Sequence, residues 1–332
     1  MSTSDSRPVS VAVHFAHPSG AAVSWAAEEA SGSGVPLQLV TACEPMLTGE
    51  AAYAADQPTI PRRETAEEQL GAMATELGDL GVPVQQHIKV GTPIQVLLHA
   101  ADESRMLVVG QRGIGFLRRI FVGSTSLAVA GRAASPVVVV PNQWERVKDS
   151  DGHVLVGVDL HIDDLRSLTE DEHRVPRLEH ATAALDTAFA QADRRGVPVV
   201  VLSTWAPHPE MGLDAEGITK HEEDRSRRIE AFLAPWIERH PGVEHSVDVR
   251  IGRASDLLPD QSAHAGLLVV GRDTKPYRLN GFTLGSSTRA LLHHARCPVI
   301  VVPAPTALPE PPAEAQAEAH AEAEQQDREE RV

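Results

Sequence analysis

The chain reads as an α/β protein made of two copies of one domain, each a five-stranded parallel sheet with helices on both faces. Three observations predict this. Short apolar runs alternate with helical text, the order that calls for parallel strands joined by right-handed crossovers. Landmarks of the first half return in the second at a constant offset, the mark of an internal repeat. "GVP" from Gly34 recurs from Gly196, Pro45 as Pro207, "VGTP" from Val90 as "IGRA" from Ile251, and "SPVVVVP" from Ser135 as "CPVIVVP" from Cys297, always 161 or 162 residues on. Third, 42% of the residues are hydrophobic but only 4% are aromatic, so the cores are built from Val, Leu, Ile and Ala, which suit strands buried on both faces.

In the first copy, the apolar runs predict strands at 9–13, 37–42, 84–90, 106–109 and 137–140, and the text between them predicts helices near 21–31, 62–80, 93–103 and 124–133. In the second helix Leu70, Met73, Leu77 and Leu80 recur at spacings of three and four, one face of a 3.6-residue helix. Ile229, Phe232, Leu233, Trp236 and Ile237 repeat that face in the second copy. A strand order of 3-2-1-4-5 brings the carboxyl ends of strands one and four to either side of a reversal point, where open α/β sheets bind ligands. The last strand, Val137-Val138-Val139-Val140, would be a sticky bare edge and is expected to be covered or paired.

These readings divide the 332 residues into a disordered start at 1–8, a first domain at 9–142, a linker at 143–152, a second domain at 153–304 and an acidic disordered tail at 305–332. The tail holds eight acidic residues against two arginines from Pro309 onward, with no apolar stripe to bury. A net charge of −16 opposes nucleic-acid phosphates and anionic membranes. No apolar run approaches the roughly 20 residues of a membrane span, and "MSTSDSRPVS" lacks the features of a signal peptide. Two distant cysteines, Cys43 and Cys297, form no CxxC pair. A cytoplasmic location is expected.

Chemistry concentrates in "VVGQRGIGFLRRIFVGSTS", 108–126. Gly110 and Gly113 allow close backbone approach, and Gly123-Ser124-Thr125-Ser126 opens a helix whose free N–H groups and dipole attract an anion. The loop is neither a Walker loop nor the dinucleotide fingerprint. Arg112, between the glycines, is better placed for a phosphate than Arg118 or Arg119. His14 and His17, and His293-His294 before Cys297, lack the further ligands of a zinc site.

Gly110-x2-Gly113-x9-Gly123-Ser124, after a fourth apolar strand and before a helix and a Pro-Val-Val-Val-Val-Pro strand, resembles the ATP-binding motif of universal stress proteins. The resemblance covers nearly the whole chain as two tandem domains. It implies Rossmann-like folds of the adenine nucleotide alpha hydrolase-like kind, with ATP phosphates on Gly110, Gly113, Gly123, Ser124, Thr125 and Ser126, and Mg2+ carried by the phosphates. It places adenine and ribose near the ends of strands one and two, at Val13, His14 and Ala42. It also implies that the last strand pairs domains, within the chain or in a homodimer.

The family's first strand usually ends in Asp. Here His14 stands there in "VAVHFAHP", while "VGVDLHID" keeps Asp159. A neutral imidazole offers one donor and one acceptor, a carboxylate acceptors only, so His14 replaces only part of that bonding. The second copy retains Gly271, Gly285, Ser286 and Ser287, but Thr274 and Lys275 surround the missing middle glycine. It also inserts 17 residues after its first strand, around "HIDDLRSLTEDEHRVP".

The expected function is stress-response regulation through adenine nucleotide held in the first domain, shifting conformation or the choice of a protein partner. The competing expectation is a nucleotide-independent interaction protein with relic pockets. Enzymatic turnover is not expected, because no base or nucleophile stands out.

Overall fold

The computed structural model describes residues 6–14, 20–43, 63–78, 81–111, 122–145, 152–160, 174–207, 214–272 and 284–304. The first copy runs β1 (Val9–Ala12), α1 (Gly20–Ser33), β2 (Leu37–Cys43), α2 (Arg63–Gly78), β3 (Val84–Val90), α3 (Pro93–Asp102), β4 (Met106–Gly110), α4 (Ser124–Arg132) and β5 (Val137–Val140). The second runs β6 (His153–Val158), α5 (Arg174–Arg195), β7 (Val199–Trp205), α6 (Ala215–Arg239), β8 (His245–Ile251), α7 (Ala254–Gln261), β9 (Ala265–Gly271), α8 (Ser286–His294) and β10 (Val299–Val302).

The sheet order is β3-β2-β1-β4-β5-β10-β9-β6-β7-β8. Each half has the predicted 3-2-1-4-5 order, and within each half every pair is parallel. The two halves are continuous, because β5 pairs antiparallel with β10, Val138 opposite Ile300. The bare valine edge is thereby paired inside the chain, leaving β3 and β8 as the edges.

Local chemistry accounts for the elements. Thr92 caps α3, accepting from the Gln95 N–H at 3.4 Å, and Pro93 opens the helix with a preset φ. Asp214 caps α6 through the Gly217 N–H at 2.8 Å. Gly34 and Gly196 both adopt φ 66°, a left-handed turn that ends α1 and α5 and that a Cβ would strain. The repeat in sequence is therefore a repeat in backbone conformation.

Both faces of the sheet are covered, and each core spans both domains. Val138, Val140 and Ile300 join Trp25, Leu39, Leu70, Phe189 and Leu233 on one face. Val137, Val139, Val299 and Val301 join Leu107, Val129, Leu268 and Leu291 on the other. Burying each such aliphatic side chain stabilises the fold by about 1.5–3 kcal/mol. The helix faces read from spacing lie in the first of these cores: Leu70, Leu77, Ile229, Leu233 and Trp236 are buried, and Met73, Phe232 and Ile237 pack against them. Leu80 lies outside the described residues.

Helices α1 and α5 bring the domains together on the first face. Glu29, buried, accepts from Gln191 at 3.0 Å, Arg194 at 2.5 Å and Arg195 at 3.0 Å, and the Arg195 guanidinium lies 5.4 Å from the Trp25 ring centroid. Burial pushes the Arg194 guanidinium below its ordinary value, and the Glu29 carboxylate opposes that shift. Glu29 and Gln191 are 162 residues apart, so equivalent positions of the two copies meet each other.

Candidate nucleotide site

Two crevices lie at the carboxyl ends of the strands flanking each reversal, β1 with β4 and β6 with β9. In the first, Val11 pairs with Val108, so continuing the register sets Val13 beside Gly110 and His14 beside Gln111. Val13 is buried, and its N–H reaches the Val40 carbonyl at 2.8 Å. Its carbonyl accepts the Thr41 hydroxyl at 3.1 Å. His14 and Ala42 are half-buried at this end of the sheet.

Across the crevice, Gln111 extends the ladder, its N–H on the Val140 carbonyl at 2.8 Å and its carbonyl accepting from Gly123 at 2.9 Å. Gly123 is the N-cap of α4, at φ −62° and ψ 145°, with no side-chain cap. Those angles suit any residue. Glycine matters here because it has no side chain to occupy the helix's first N–H groups, as Ser or Asp would, so they stay available to an anion. Ser124 is exposed and Thr125 half-buried beside them. Ser126 is buried and gives its proton to the Gly110 carbonyl at 2.8 Å, which ties the helix start to the strand end. Arg112, Gly113, Arg118 and Arg119 lie outside the described residues, as does His17.

The second crevice repeats the frame with different chemistry. Gly285 caps α8 at φ −61° and ψ 160°, again without a side-chain cap, and a Cβ there would meet nothing within 4 Å. Ser286 is exposed, Ser287 is half-buried and Thr288 is buried. Thr288, 162 residues after Ser126, is the true counterpart of that hydroxyl, which the adjacent Ser287 obscured in the sequence. Gly271 has a packing reason: a Cβ would sit 2.7 Å from the His180 carbonyl oxygen, so glycine lets α5 lie against the end of β9. Asp159 is exposed beyond Val158, at the level of Arg272 by register. Thr274, Lys275 and 161–173, most of the inserted segment, lie outside the described residues.

Sequence reading missed a cluster in this crevice. Arg225 of α6 is buried, donating to the Leu160 carbonyl and to the Ser203 hydroxyl at 3.1 Å. One turn earlier, His221 lies against Trp205, ring centroids 4.3 Å apart. Arg225 sits in "HEEDRSRRIE", which looks like a solvated helix face. In the first crevice the equivalent of Ser203 is Thr41, whose hydroxyl bonds the strand itself.

Among the described residues no group of three or more His, Cys, Asp or Glu could hold a metal ion, and no helix is long and apolar enough to cross a membrane. Burial pushes the Cys297 thiol up to about 12.

The sequence model of the Universal stress protein family matches residues 6–141 and 177–303. A universal stress protein of Mycolicibacterium smegmatis is 31% identical over 298 residues, 88% of this chain and 95% of its own. Universal stress protein Rv2005c of Mycobacterium tuberculosis is 31% identical over 297 residues, 85% of this chain and 92% of its own. A solved universal stress protein from Archaeoglobus fulgidus shares the fold, with a TM-score of 0.60 at 16% identity over 89% of this chain and 96% of that one.

Proposed function

Because the chain belongs to the universal stress protein family as a tandem two-domain member, we propose that it is a stress-response regulator that binds an adenine nucleotide, ATP with Mg2+, in the first domain. The uncapped start of α4 beside the β1–β4 crevice carries this reading, since it presents backbone N–H groups and the positive end of a helix dipole. Phosphates would lie on Gly110, Gly123, Ser124, Thr125 and Ser126, with Gly113 and Arg112 in the intervening loop, and the nucleoside toward Val13, His14 and Ala42. Mg2+ would be carried in by the phosphates and would neutralise part of their charge.

Occupancy rather than turnover is its output. The Ser126 hydroxyl is bonded to a carbonyl, which cannot take its proton, so it is not an activated nucleophile. The chain works in the cytoplasm. Its β5 and β10 edges are used within the chain, so a homodimer would use another surface.

Calorimetry with ATP and Mg2+ tests the reading. The wild-type chain should bind, and Gly123→Val, whose backbone angles valine accepts, should abolish the signal while the fold melts normally. Silence of the wild-type chain at millimolar ATP would leave the nucleotide-independent interaction protein standing. Sustained phosphate release would replace the switch with an enzyme.

A further inference from the structure

The two residues that flank the first domain's glycine loop are bonded to the second domain. The loop's two described stems are Gln111, after β4, and Val122, before the Gly123 cap. The Gln111 amide donates to the carbonyls of Leu292 at 2.9 Å and His293 at 3.3 Å, in the last turn of α8. The Val122 N–H donates to the His293 Nδ1 at 3.1 Å. Val122 is buried, so losing that acceptor would leave its N–H with a desolvation cost.

The brace is reciprocal and unequal. Arg272 follows β9 as Gln111 follows β4, and its Nη1 donates to the Ala133 carbonyl at 2.7 Å and the Ala130 carbonyl at 3.4 Å, at the end of α4. A guanidinium therefore stands at the negative pole of the helix whose positive pole faces the phosphate site. Burial lowers the Arg272 pKa from its ordinary value. Across the repeat, α8 receives only a neutral amide.

We propose that the second domain is a working part of the first domain's nucleotide site: His293 and Gln111 hold both stems of its glycine loop, and Arg272 sets the charge at the far end of its phosphate-binding helix. These are positioning residues, and none touches the nucleotide. The inference rests on the nucleotide reading above and adds that affinity in domain 1 is controlled from domain 2.

Full-length chains provide the test. In calorimetry with ATP and Mg2+, His293→Ala should weaken binding roughly tenfold, the worth of about one buried hydrogen bond. His293→Asn, whose side-chain oxygen can accept from Val122, should recover part of the loss. Arg272→Gln copies the residue already used at the equivalent position, so it should fold, and by removing only charge it should weaken binding about two- to fivefold, less at high salt. Without nucleotide, amide exchange at Val122 should accelerate in His293→Ala and not in Arg272→Gln. Wild-type affinity in both His293→Ala and Arg272→Gln, with unchanged Val122 exchange, overturns the inference while the nucleotide reading stands. Absence of binding by the wild-type chain overturns both.

Discussion

The first domain threads a chain of buried polar groups through its sheet where the second has hydrocarbon. Ser104 donates to the Ala100 carbonyl at 2.5 Å and meets Ser10 at 2.6 Å; Ser10 donates to Gln38 at 2.8 Å, and the Gln38 amide lies 3.5 Å from the His87 Nδ1. The pairing registers place Leu155 and Val200 where Ser10 and Gln38 stand, and the repeat offset sets Ala265 at Ser104. One backbone thus tolerates either filling. The crevices differ in the same sense. A threonine hydroxyl closes the end of the first, whereas a buried guanidinium fills the corresponding end of the second.

The largest effect that sharpens this contrast is expected at the helix caps. Gly123→Asp would supply a carboxylate to the α4 N–H groups, stabilising the protein by about 1 kcal/mol and repelling the phosphates, so that ATP binding falls at least about a hundredfold. Gly285→Asp should raise the thermal midpoint similarly yet leave the binding heat unchanged. Equal losses in the two variants would show that both crevices bind.

Glu29→Ala breaks the contact that joins the two copies on their first face. It leaves Arg194 and Arg195 facing each other without their carboxylate, and because both are about a quarter exposed, the expected loss is about 2–3 kcal/mol in denaturant unfolding. A smaller loss is expected from Gln38→Val alone, about 1–2 kcal/mol, since it strands the Ser10 and His87 partners. Adding Ser10→Leu and Ser104→Ala, which copies the second domain, should return stability to within about 1 kcal/mol of wild type.

Both domains should lose stability on mild acidification. Burial lowers the pKa of His87, with Lys89 adding to it, and burial lowers that of His153, with His264 adding to it. The folded state therefore resists protonation, so stability holds above about pH 6.5 and declines as pH falls from there through the folded values. His153→Gln should flatten that decline in urea titrations at successive pH values. The smallest expected signal is chemical: with its thiol held at about 12 and buried, Cys297 should resist alkylation at neutral pH until the protein unfolds.

Most of the architecture was legible because its signals are local or periodic. Strand runs, the spacing of Leu70 and Leu77, and the Gly34 and Gly196 turns each depend on a few neighbouring residues, and the repeat writes them twice. The glycine pattern likewise marked the start of α4, which has no side-chain cap. Other roles could be read only from the folded chain. Gly271 makes room for the His180 backbone. The bond from the Ser126 hydroxyl to the Gly110 carbonyl is another such role.

Composition and periodicity were enough to set strand, helix, repeat and order, because burying apolar faces at periods of two and 3.6 leaves few arrangements. They carried no trace of what Gln111, His293, Arg272 and Arg225 do, since a polar side chain reads alike whether it meets water or a distant carbonyl. The bonds from Gln111 and Arg272 link residues 139 to 182 positions apart. Only the joining of β5 to β10 brings such residues together, and with it two repeated domains become one braced structure.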